Sequence, residues 1–123
     1  MAEMHALGVT FLLSGVLLIG AMLPLVFRKV GRNGFFGIRI TSTLESDQNW
    51  FDLNEVGGML LSLTGFPLLV GGALAFFVPE QFKNELAIAT GLSNLAAIGF
   101  AIFFFSRYTK RYLSDREALA KDA

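Results

Sequence analysis

Three long stretches of this chain carry no charged residue, and polar segments of unequal length separate them. The first apolar run is 6–27, from Ala6 to Phe27. As a helix, a run of that length spans about 33 Å, enough to cross the hydrocarbon core of a bilayer. The second run is 56–78 and the third is 86–106. Pro67 lies near the middle of the second run. Its missing N–H predicts a kink there, with Thr64 or a neighbouring helix satisfying the freed carbonyl. Pro79 to Glu85 reads as a turn between antiparallel helices. The third run closes on Phe103, Phe104 and Phe105, and Tyr108 and Tyr112 follow at the interface. The pattern predicts an all-α fold, an integral membrane three-helix bundle forming one domain over 1–123. A 28-residue loop (28–55) joins its first two helices, and a charged tail (107–123) continues as a frayed helix lying on or leaving the membrane.

The first run has no Lys or Arg before it, is too long for a signal-peptide core, and has its basic residues after it. This reverses the order of a cleaved signal, so the run is expected to be a retained span. Small residues recur on each span, as Gly8 and Gly15, then Gly58, Ser62 and Gly65, then Ala87, Gly91 and Gly99. Such stripes let backbones approach in lipid. Packing within one chain is the first expectation, and the stripes leave room for a homo-oligomer.

Composition agrees with the pattern. Hydrophobic residues make up 54% of the chain and charged residues 16%, against about a quarter charged in soluble domains. The net charge is zero, so no overall field favours nucleic acid as a partner. No cysteine is present, which excludes disulfides and thiol chemistry. His5, the single histidine, reads as a solvated residue of the N-terminal tail, and alone it makes no metal site. No cofactor is implied. The placement of charge is more telling. Arg28, Lys29, Arg32 and Arg39 lie in the long loop, Arg107, Lys110, Arg111, Arg116 and Lys121 in the tail, and Lys83 alone in the turn. By the positive-inside rule the loop and C-terminus are cytoplasmic and the N-terminus is outside.

The long loop holds the candidate chemistry. Gly31, Gly34 and Gly37 surround Asn33, a set suited to tight turns. A phosphate-cradling loop is the alternative reading, but no Lys-Ser/Thr pair follows the glycines. The turn would leave Phe35 and Phe36 as interfacial anchors. Ser42 with Glu45, and Asp52 with Glu55, each fit a capping box. One helix from near Ser42 into the second span would put Thr43, Asp47, Trp50, Asn54, Gly57 and Leu61 on a single face, with Trp50 at headgroup level. Arg39, flanked by Ile38 and Ile40, needs a partner. Either Asp47 or Glu45 supplies it within a buried network joining Asn33, Thr43 and Asn54, or lipid phosphate does. Asn54 at the membrane edge also requires a hydrogen-bond partner.

Asn33, the run Phe36-Gly37-Ile38-Arg39, Thr43, Trp50 and Asn54, followed by a glycine-containing span, resemble the signature of the SdpI-like family of bacterial membrane proteins. Gly34 stands where that pattern often has proline. The resemblance covers about Val30 to Gly65 and implies a single three-helix unit in a bacterial plasma membrane, of immunity or signal-transduction type. The family's founding member is larger and protects against a secreted peptide toxin. The implied role is therefore non-enzymatic, either resistance to a peptide toxin or sensing of envelope stress through a membrane partner. Membrane lipids, a peptide toxin and another membrane protein are the partners this suggests. Asn33, Phe36, Gly37, Arg39, Thr43, Asp47, Trp50 and Asn54 are the candidate partner- or headgroup-binding residues. Two alternatives stand beside it: a protein that binds or processes lipid headgroups at the cytoplasmic leaflet, and an accessory subunit of a larger membrane complex. The sequence offers no nucleophile–base pair to support catalysis.

Overall fold

The computed structural model describes residues 2–122, with side chains from His5 onward. All regular structure among these residues is helical: α1 (Ala2–Val26), α2 (Thr41–Leu44), α3 (Asp47–Leu63), α4 (Phe66–Leu74) and α5 (Lys83–Asp122). A short 3-10 turn, Glu80–Phe82, precedes α5. Three helical segments are long and apolar enough to cross a membrane: His5–Val26, Asp47–Leu74 and Glu80–Asp122. His5 is exposed, but it belongs to α1 and stacks on Phe76, with ring centroids 5.4 Å apart.

The second span is two helices. α3 ends at Thr64, and α4 restarts with Pro67 in its first turn, where a missing N–H costs nothing. The break exposes carbonyls within an apolar segment. The Thr64 hydroxyl donates to the Leu61 carbonyl at 2.6 Å, and Asn94 Nδ2 on α5 donates to the Thr64 carbonyl at 2.7 Å. Thr64 and a neighbouring helix both donate at the break, to the carbonyls of Leu61 and Thr64 rather than to that of Leu63, four residues before Pro67.

α3 and α4 form the middle of the molecule, and α1 and α5 each pack on both of them, on different faces. Two Gly-Gly pairs make this possible. Gly57 and Gly71 face α5, the first against Phe105 and the second against Thr90. Gly58 and Gly72 face α1. A Cβ on Gly58 would lie 3.1 Å from Leu25 Cβ, and one on Gly72 would lie 2.9 Å from the Gly8 carbonyl oxygen. Adjacent residues on a helix point about 100° apart. Each pair therefore gives one close approach to each neighbour. Gly8, Gly15 and Gly65 join the α1 seam as expected. Gly91 and Gly99 do not take part, because nothing lies within 4 Å of where their Cβ atoms would be.

α5 runs unbroken for 40 residues, about 60 Å at helical rise. The tail is therefore a direct extension of the third span and not a frayed segment. Most of the spans' apolar surface faces outward, as lipid contact requires. Most of the fully enclosed side chains lie instead at the loop end, where Leu25, Thr43, Trp50, Leu53 and Asn54 are 2% exposed or less; Thr64 at the break and Ala75 after α4 are buried as tightly.

Candidate functional site

Residues 27–46 fold back over the end of the spans. The fold begins at the C-terminus of α1. Lys29 N–H bonds the Pro24 carbonyl and Arg28 N–H the Leu25 carbonyl, with Arg28 at φ 59°. This is the Schellman stop, with arginine at the left-handed position glycine usually takes. The guanidinium then forks across α3, donating to Glu55 at 2.8 Å and to Asp52 at 3.0 Å. Those two bonds raise the Arg28 pKa above its ordinary value.

Asn33 makes the next turn by itself. Its Oδ1 accepts from the backbone N–H groups of Phe35 and Phe36, both at 2.7 Å, and its Nδ2 donates to the carbonyls of Gly31 and Phe36. The turn is set by local bonds, so the exposure of Phe35 at its tip, 99%, is fixed by design of the turn. Gly37 follows at φ 121° against the Trp50 ring. A Cβ there would be both strained and 2.7 Å from Cζ2.

Ile38 is the point the signature residues grip. Asn54 Oδ1 accepts its N–H at 2.6 Å, and Asn54 Nδ2 reaches its carbonyl at 3.4 Å and the Trp50 carbonyl at 3.0 Å. Thr43 Oγ1 accepts from Ile40 N–H and shares its one proton between the carbonyls of Ile38 and Ile40, at 2.8 and 2.9 Å. Trp50 Nε1 donates to the Val30 carbonyl at 2.8 Å. Thr43, Trp50 and Asn54 are each fully buried. The cost of placing an asparagine here is met by the loop's own backbone.

Two expectations are corrected, and one of the two alternatives open for Arg39 falls. The helix does not run unbroken from Ser42. It pauses at Glu45, and Ser46, whose side chain accepts from Asn49 N–H, caps α3 in place of Ser42 or Asp52. A serine just before an acidic residue and a helical run carried that signal. The pause rotates Asp47 off the shared face. It is 74% exposed and pairs with Arg32 at 3.4 Å. Arg39 joins no buried network. It is exposed and, among the described residues, makes no hydrogen bond or ion pair, with Asp47, Glu45 or any other group. Trp50 is enclosed by the protein and does not face the headgroups.

The tail brings in residues that the sequence did not mark as part of the site. Tyr112 on α5 donates to Asp52 Oδ2 at 2.6 Å, lies 3.3 Å from Asn49 Oδ1, and accepts from Arg116 Nη1 at 3.0 Å. Asn49 Nδ2 in turn donates to the Ser42 carbonyl. Burial and the bond to Asp52 push the Tyr112 phenol above its usual value of 10.0. Asp52 thus joins α1, α3 and α5. Beside this clamp, a cleft of about 760 Å³ opens between α5 and the α2–α3 junction, lined by residues that include Glu45, Asn49, Lys110, Arg116 and Glu117. No group of three or more His, Asp or Glu side chains converges among the described residues.

Comparison with curated proteins and with solved structures finds no match. A family model does match, over residues 29–106. The match opens on Lys29, the last residue of the Schellman stop of α1, and takes in the whole Asn33–Asn54 lock together with the second and third apolar runs. Three helices able to span a bilayer, joined by that lock, make this chain a membrane protein that belongs to the SdpI/YfhL protein family.

Proposed function

We propose that this is a non-enzymatic membrane protein of the immunity or signalling type, acting by binding a partner at the loop-and-tail end. The clamp centred on Asp52 supports the reading. It fixes the folded loop, the start of α3 and the extension of α5 as one platform, and sets a cleft with both signs of charge in its surface. A mixed-charge peptide segment suits such a cleft. The partner is a peptide toxin or another membrane protein. The nine-to-one distribution of basic residues supports a cytoplasmic loop-and-tail end with the N-terminus outside, and membership of the SdpI/YfhL family supports a bacterial plasma membrane.

The test is affinity capture of the tagged full chain from native membranes, wild type beside Asn54→Ala and Tyr112→Phe. A partner held by the wild type and lost from both variants is expected. A deletion strain is expected to gain sensitivity to a membrane-active peptide or to envelope stress. Capture of the chain alone, together with an unchanged deletion strain, overturns the reading.

A further inference from the structure

The loop's four cations divide into two kinds. Arg28 is engaged with Asp52 and Glu55, and Arg32 with Asp47 and the Leu44 carbonyl. Lys29 and Arg39 are exposed and make no side-chain contact of this kind among the described residues. Trp50 draws together the backbone beside each of them. Its Nε1 holds the Val30 carbonyl, and the adjoining Cζ2 edge carries Gly37. Both limbs of the loop therefore meet at one end of one indole, Lys29 one residue outside the contact and Arg39 two.

Depth is fixed as well. The Ile38 side chain packs against Gly57, inside the second apolar run, so Arg39 next to it sits where that run begins. Lys29 directly follows the end of α1. Around them Phe27, Phe35, Phe36 and Ile40 all face outward, at 63, 99, 36 and 39% exposure. Unpaired cations among exposed aromatic and aliphatic groups, at the level where spans leave the bilayer, match the anionic headgroup and the acyl boundary beneath it.

We propose that Lys29 and Arg39, with Phe35 and Phe36, form a site for an anionic phospholipid in the leaflet on the loop's side. The guanidinium and ammonium hold the phosphate, and the rings enter the acyl boundary. The site is independent of the cleft between α5 and the α2–α3 junction, so it stands or falls apart from any protein partner.

The full-length chain, reconstituted with equal phosphatidylglycerol and phosphatidylcholine and released into native mass spectrometry, is expected to keep phosphatidylglycerol preferentially. Lys29→Gln with Arg39→Gln is expected to lower that retention by about fivefold per charge removed. Arg111→Gln with Lys121→Gln, an equal charge change on the tail, is expected to leave it unaltered. Trp50 emission is expected to match wild type in every variant. Arg39→Gln alone, with its single-charge loss, serves if the double variant shifts it. Equal retention of the two lipids, equal loss in the two double variants, or adducts of added inorganic phosphate in place of lipid would overturn the proposal.

Discussion

Asn54 spends every hydrogen-bonding group of its amide on backbone, accepting at Oδ1 and donating from Nδ2. Removing the side chain orphans the part-buried Ile38 N–H. Asn54→Ala is therefore expected to cost about 2 kcal/mol, seen as a red shift of Trp50 emission and faster hydrogen exchange across 30–40. Asn54→Asp is not expected to rescue it, since a carboxylate would turn an acceptor toward the Trp50 and Ile38 carbonyls. Arg28 poses the opposite case. Its left-handed backbone costs about 1–3 kcal/mol for a residue with a Cβ, while each of its partly exposed ion pairs returns about 0.2–1 kcal/mol. Arg28→Gly is thus expected to leave thermal stability nearly unchanged while loosening α1 from α3, a separation readable by cross-linking. The need for a partner at Asn54 was legible in the sequence, because a lone amide at a membrane edge has few other fates. The partners of Arg28 were not, since they lie 24 and 27 residues away and four cations competed for four carboxylates.

At the scale of elements, the spans were legible from their uncharged lengths and the α4 restart from Pro67. The start of α3 was missed because two other Ser/Asp–Glu spacings also fitted a cap. The reach of α5 was missed because a charged amphipathic tail takes its order from what it touches, here Asp52 through Tyr112. That contact has a pH signature. Folding raises the Tyr112 pKa, so the protonated phenol is the form the folded state favours. The stability it contributes is complete below a pH of about 10 and is lost as pH rises through the elevated value. The Tyr112 phenol is expected to titrate late by ultraviolet absorbance, and Tyr112→Phe is expected to abolish the late phase. Absence of a late phase in the wild type would contradict the clamp.

Over the whole molecule, the loop and tail share one end of the spans, joined at Asp52, while the α4–α5 turn lies at the other. Because the chain has no cysteine, single introduced thiols report sidedness cleanly. An impermeant maleimide is expected to modify Gln81→Cys in intact cells, and Ser46→Cys and Ser114→Cys only after lysis. The reverse pattern would invert the orientation while keeping the fold. The family signature was legible because its members sit at short, fixed spacings around one turn. What those residues do was less so: Thr43, Trp50 and Asn54 face inward and shape the loop, and Arg39 faces out.

The bond from Asn94 to the Thr64 carbonyl also bears on how the chain is made. Thr64 leaves the ribosome thirty residues before its donor, so the second span enters the bilayer with a carbonyl that only the third can satisfy. In hydrocarbon an unmet backbone group costs several kcal/mol. Until α5 arrives, the broken span is best held at the insertion machinery and not released to lipid. A nascent chain arrested before Asn94 is accordingly expected to cross-link to the translocation channel through its second span, and one arrested well after Asn94 to have left it.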